Sequence, residues 1–147
     1  MTPAAALSAM IARLQTVTGL DEARSPLGVR NASAARIDRS FSVRPGGLSL
    51  SDGGGRGRVD ARGLRVAQRL RVELGHQLKP SAGAAAPVQA LTDLHAALKA
   101  IHVTGTTLTE AGYVVIADIS SEYVGSGAYI VHTIDIDLQY YLSLIHI

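Results

Sequence analysis

Two carboxylates, Asp135 and Asp137, stand two residues apart within 129–141, a stretch that alternates apolar and polar residues. That spacing puts both on one face of a β-strand, where a carboxylate pair can hold a hard cation or divide acid and base roles. The same spacing equally serves a solvated strand face that meets arginines, and no third ligand lies nearby in the sequence. His76 and His132 each fall on the apolar side of a strand-like segment. Facing imidazoles can bind a metal ion, but buried, hydrogen-bonded or interfacial histidines fit that placement more simply. His95 and His102 are seven apart and share a helix face at best. The tract from Asp52 to Arg58 invites comparison with a phosphate-binding loop, yet it lacks the Gly-Lys-Ser/Thr ending. It is closer to a short Arg-Gly segment whose Arg56 and Arg58, with Arg62 beyond, can contact phosphates. No aromatic residue interleaves there, so base stacking is unsupported. No Gly-x-Ser-x-Gly elbow marks a hydrolase nucleophile. The chemistry-bearing residues therefore predict neither an enzyme nor a bound metal or cofactor.

The chain is 147 residues long, 47% hydrophobic but only 4% aromatic, so its core must be aliphatic. The length fits one domain, placed here at 1–141. With no cysteine, disulfides and thiolate metal sites are excluded. No apolar run is long enough for a membrane span, and the N-terminus does not read as a secretory signal. Net charge is only +2, but its distribution is polar: seven of the 14 basic residues lie between Arg56 and Lys79, and none follows Lys99. Asp118, Glu122, Asp135 and Asp137 fall in that later part. A basic middle and an acidic end can pair within one chain or between copies.

These residues need elements to carry them. Thr2-Pro3 is a helix start, and Leu7, Met10, Ile11, Leu14 and Val17 continue it at helical spacing, predicting a helix over 3–18 that Gly19 ends. Residues 36–43 read as a strand with Ile37, Phe41 and Val43 facing in and Arg39 interrupting that face. Residues 45–63, with seven glycines, read as a flexible Gly/Arg-rich loop. Residues 64–78 form a second long alternating strand, with Arg65, Arg69 and Arg71 on its polar face. Pro87 opens a second helix whose stripe is Val88, Leu91, Leu94, Leu98 and Ile101, with Gly105 as its stop. Residues 106–121 are strand-like and apolar on both faces at first, which places them centrally. Gly125-Ser126-Gly127 then turns into the strand of 129–141, roughly 40 Å long. Residues 142–147 resemble the translation of a sequencing-library adapter and are set apart from the fold. The expectation is an α+β domain: a mostly antiparallel sheet of about four strands, two of them long, with two helices on one face.

This order of elements, together with Tyr-Val-Gly-Ser-Gly-Ala-Tyr-Ile-Val-His-Thr-Ile-Asp-Ile-Asp-Leu-Gln-Tyr-Tyr at 123–141, resembles the tail terminator and related minor tail proteins of long-tailed bacteriophages. The resemblance implies a structural virion protein of the tail or neck, made in the host cytoplasm. It implies a hexameric ring that caps the tail tube and joins it to the head–tail connector protein. In that setting Arg65, Arg69, Arg71, Asp135 and Asp137 would meet within or between copies, and the loop bearing Arg56, Arg58 and Arg62 would contact a partner or, transiently, DNA. Two other readings stand beside it: another head–tail joining or tail tube protein, and a small nucleic-acid-binding protein using residues 56–71.

Overall fold

The computed structural model describes residues 2–23, 28–29, 38–50, 59–60, 63–102, 113–125 and 127–142. Helix α1 runs Pro3–Gln15 and α2 runs Ala85–His102. The strands are β1 Asp21–Glu22, β2 Ser40–Leu50, β3 Val59–Asp60, β4 Gly63–Gln77, β5 Tyr113–Val124 and β6 Tyr129–Leu142. They form one mixed sheet in the order β1-β2-β4-β6-β5, with the short β3 folding back on the start of β4. β1 runs parallel to β2, and every other pairing is antiparallel. Among the described residues the architecture is thus α+β, with two α-helices and a mixed sheet of five strands in line and the short β3 beside them, two short strands beyond the four expected. The parallel addition is only two residues long.

The two long strands fall close to the positions their alternation predicts. β4 and β6 pair from Leu64↔Leu142 to Gln77↔Tyr129 without a break. Their even-numbered residues Val66, Leu70, Val72, Leu74, Ile134, Ile136, Leu138 and Tyr140 are buried in one core with Phe41 of β2, Met10 and Leu14 of α1, and Ala97 and Ile101 of α2. Both helices therefore lie on the even-numbered face. Thr2 caps α1 by accepting a hydrogen bond from the Ala5 amide (3.2 Å), with Pro3 at the first turn. The helix ends at Gln15, earlier than expected, where Thr16 bonds the Arg13 carbonyl through its hydroxyl (2.6 Å) and its backbone N–H (3.2 Å). Arg13 is buried and donates to the Ile101 carbonyl (2.7 Å), tying α1 to the last turn of α2.

Four expectations need correction. The first strand starts at Ser40 and runs on through Pro45, Gly46 and Gly47 to Leu50. Pairing with β4 resumes past an irregularity between Pro45 and Leu48, so half a dozen residues assigned to the glycine-rich loop are strand. Residues 51–58, 61 and 62, and with them Arg56, Arg58 and Arg62, lie outside the described residues. The buried line of α2 is Ala90, Asp93, Ala97 and Ile101, while Val88 and Leu91 of the expected stripe are 61% and 59% exposed. Asp93 turns the helix: its carboxylate is held by groups from the sheet side, which brings the small Ala90 and Ala97 against the sheet. β5 is an edge strand and not a central one, and it leaves Val115, Ile116, Ile119 and Tyr123 exposed. Finally, Leu142 belongs to β6 opposite Leu64. Residues 143–147, residues 106–112 of the predicted strand, and Gly105 lie outside the described residues.

Gly46 is required by close approach. A Cβ there would sit 2.8 Å from Cβ and Cγ of Arg69 and 3.0 Å from its carbonyl oxygen, whereas one on Gly47 meets nothing within 4 Å. Gly46→Ala should lower stability by about 1–3 kcal/mol, the usual cost of overpacking, and Gly47→Ala should change it little. Urea denaturation of the two variants checks the contrast.

Candidate functional site

The odd-numbered face of the sheet carries the charge. Register brings Arg69 opposite Asp137 and Arg71 opposite Asp135. Each pair closes as a fork: Arg69 donates from Nε and Nη2 to the two Asp137 oxygens at 2.7 and 3.2 Å, and Arg71 likewise to Asp135 at 2.9 and 3.4 Å. These four residues therefore meet within one chain. Arg65 lies on the same face, opposite Tyr141. Arg44 of β2 stands next to Arg71 across the ladder, and its Nη2 lies 2.9 Å from Oε1 of the buried Glu73. At the other end of the row, Asp118 of β5 stands next to Asp135. One line across the sheet thus reads Arg44, Arg71, Asp135, Asp118: two cations, then two anions.

This face is only partly wet. Ala23 and Val29 pack on Val131, and the Val29 amide donates to Ser42 Oγ (3.3 Å). Ser42, Glu73, Val131 and Thr133 are buried as a result. Ala23 and Val29, between α1 and β2, therefore cover one end of a face that alternation alone marks as solvated.

On the helix face, the polar interruptions converge. Asp93 of α2 accepts from Arg39 Nε and Nη2 (both 3.0 Å) and from Gln89 Nε2 (2.9 Å), and it lies 2.8 Å from His76 Nε2. Arg39 adopts φ +48° and also donates to the Thr18 carbonyl (3.1 Å). Gly19 adopts φ +82°, which L side chains rarely take, and a Cβ there would also meet that guanidinium. His132 stands diagonally across from His76, ring centroids 6.3 Å apart, with its Nδ1 2.6 Å from Ser121 Oγ. Gln68, the other polar residue on this side of β4, accepts from the Tyr140 hydroxyl (2.8 Å) and donates to the Pro3 carbonyl (3.3 Å). Part of the signal for this cluster was present in the sequence: Arg39 and His76 each interrupt an apolar face, whereas Asp93 lies off the expected helix stripe and only the structure shows it buried.

Burial opposes charge on Asp93, but the hydrogen bonds from Arg39 and His76 outweigh it and hold the carboxyl below its ordinary range. Burial, aided by the neighbouring His76, pushes the His132 imidazole down. Among the described residues, no group of three or more His, Cys, Asp or Glu side chains is placed to hold a metal ion. No described helix is long and apolar enough to cross a membrane.

No protein-family model matches the chain, and no curated protein matches it. Solved structures do. One is a chain in the structure described as the virion of the native gene transfer agent (GTA) particle, matched at TM-score 0.55 over 91% of this chain and 92% of that one, with 11% identity. At that identity the likeness is one of fold, and it spans nearly the whole of both chains. The chain shares its fold with a component of a virion.

Two outcomes follow from the site. Asp135→Lys should destabilise by about 1 kcal/mol, because it sets like charges opposite one another on a rung whose Asp135 end is buried. Asp137→Asn, on a more exposed pair, should cost no more than about 0.2–1 kcal/mol. Adding Arg71→Glu to Asp135→Lys should recover part of the loss in a double-mutant cycle. Acid should act in two stages. A depressed histidine takes up a proton on unfolding, so stability falls as pH drops below about 6.5 toward the folded value for His132. The Asp93 contribution is present above about pH 4 and is lost as pH falls further through its depressed value. His132→Gln should flatten the upper stage and Asp93→Asn the lower one in urea titrations run across pH.

Proposed function

We propose that this chain is a structural protein of a virion, of the tail terminator kind: six copies close a ring that caps the tail tube and joins it to the head–tail connector protein. The observation that carries the reading is the fold shared from end to end with a chain of the GTA particle virion. The resemblance of 123–141 to tail terminators and minor tail proteins points the same way and supplies the finer assignment. An open sheet with long strands and a partly charged face suits a part whose work is to dock to copies of itself and to neighbours. Another head–tail joining or tail tube protein would be built on the same strands. It is distinguished by which purified virion part the ring binds.

The nucleic-acid reading is weakened by geometry, because Arg69 and Arg71 already serve as partners of Asp137 and Asp135. Native mass measurement of the purified chain tests the proposal. A closed oligomer that binds tail tubes and lacks salt-sensitive DNA affinity supports it. A monomer that binds DNA with a steep salt dependence overturns it.

A further inference from the structure

Resting on the ring reading, we propose which surfaces close the ring: the free edge of β5 in one copy receives the free edge of β2 in the next, antiparallel, so that the sheet continues from copy to copy. Among the described residues nothing pairs with the far side of β5, and β1 covers only Ser40 and Phe41 of β2. An unprotected edge of that length is a template for another strand.

Three observations select this partner. The first is direction. β2, β4, β6 and β5 alternate, so β5 runs opposite to β2. A copy placed alongside with its helices on the same side therefore presents β2 antiparallel to β5. The second is charge. β5 carries Asp118 and Glu122 and no basic residue, while β2 carries Arg44 and no acidic one. Both sets lie on the odd-numbered face of the sheet, given their rungs opposite Asp135, Val131 and Arg71. Joining the copies extends the row as Arg, Arg, Asp, Asp, Arg, Arg, and sets Arg44, still 35% exposed beside Glu73, near the neighbour's Asp118. A two-fold contact of β5 with β5 would bring only anions together, and β2 with β2 only cations. The third is the opposite face. There, in the same register, the exposed Ile116 and Ile119 of β5 fall beside the neighbour's Pro45 and Val43, and its exposed Leu48 falls beside Val114. The seam is ionic on one side and apolar on the other.

The contact is head-to-tail, so each copy uses both edges, and this makes a mixing experiment decisive. Native mass spectrometry would be run on the full chain, on Arg44→Asp, on Asp118→Arg and on an equimolar mixture of the two variants, each first shown to keep the wild-type circular dichroism. Each single variant should need about tenfold or more protein to assemble. The mixture should recover assembly, because alternating copies restore opposite charges at every junction. If Arg44→Asp does not fold because it sets a second carboxylate beside the buried Glu73, Leu48→Asp on the same edge should weaken assembly in its place. A wild type that assembles while Arg44→Asp and Leu48→Asp assemble equally well overturns the edge assignment and leaves the ring reading standing. A mixture no better than either variant overturns it likewise. A wild type that stays monomeric, alone and with tail tubes, overturns the ring reading itself.

Discussion

The β4–β6 ladder is the constraint on which the rest of the molecule depends. Alternation makes a slip of one residue ruinous, since it would carry Ile134, Ile136 and Leu138 out of the core. Apolar packing is less able to forbid a slip of two, because most even positions of both strands are aliphatic. The forks of Arg69 with Asp137 and Arg71 with Asp135 supply the missing discrimination. Shifted by two, one fork would survive with the wrong carboxylate, and the other aspartate would face Ala67 in one direction or the like charge of Glu73 in the other. Hydrophobic period and charge pattern thus act on different errors in the same ladder.

The buried cluster around Asp93 acts on a second degree of freedom, the rotation of α2 over the sheet. A stripe of Val88, Leu91, Leu94 and Leu98 would pack the helix by its bulkiest side. Instead one carboxylate, bonded by Arg39 from the turn before β2 and by His76 from β4, fixes the helix on its alanine side. A buried charge is costly unless its hydrogen bonds are made, and here four donor groups reach it from three parts of the chain. Arg13 does the equivalent at the far end of α2 by holding the Ile101 carbonyl. The helix is therefore placed by polar contacts at its middle and at its C-terminal end, with Ala90 and Ala97 buried on the same line and Leu94 and Leu98 partly buried beside it.

Much of this was legible in the residues alone, for identifiable reasons. β4 and β6 announced themselves because a period of two sustained over a dozen residues has no helical counterpart. Their inverted charges made the Arg–Asp rungs foreseeable. β5 was misplaced because apolar residues on both faces ordinarily mark a central strand, whereas here they line an open edge. β2 was cut short because Pro45, Gly46 and Gly47 carry loop chemistry, and only pairing with β4 reveals a strand that bulges and continues. The covering of Thr133 and Glu73 by the segment around Ala23 and Val29 had no local signal, since it depends on where a connector comes to rest. Of the convergence of Arg39, His76 and Asp93, the first two interrupt apolar faces in the sequence, while Asp93 falls on the polar side of the expected stripe and joins them only in three dimensions.

The two bulges have a mechanical meaning. In β5 the extra residue, Ala117, falls between the partners of Ile136 and Asp135, and in β2 it falls opposite Arg69. Through the β4–β6 ladder these points lie within two rungs of one latitude. Both rims of the sheet are therefore notched at nearly the same height. A smooth rim can ratchet along another smooth rim, since every rung resembles the next. A notched one has a single seat, and any glide away from it pries the kinked backbones apart.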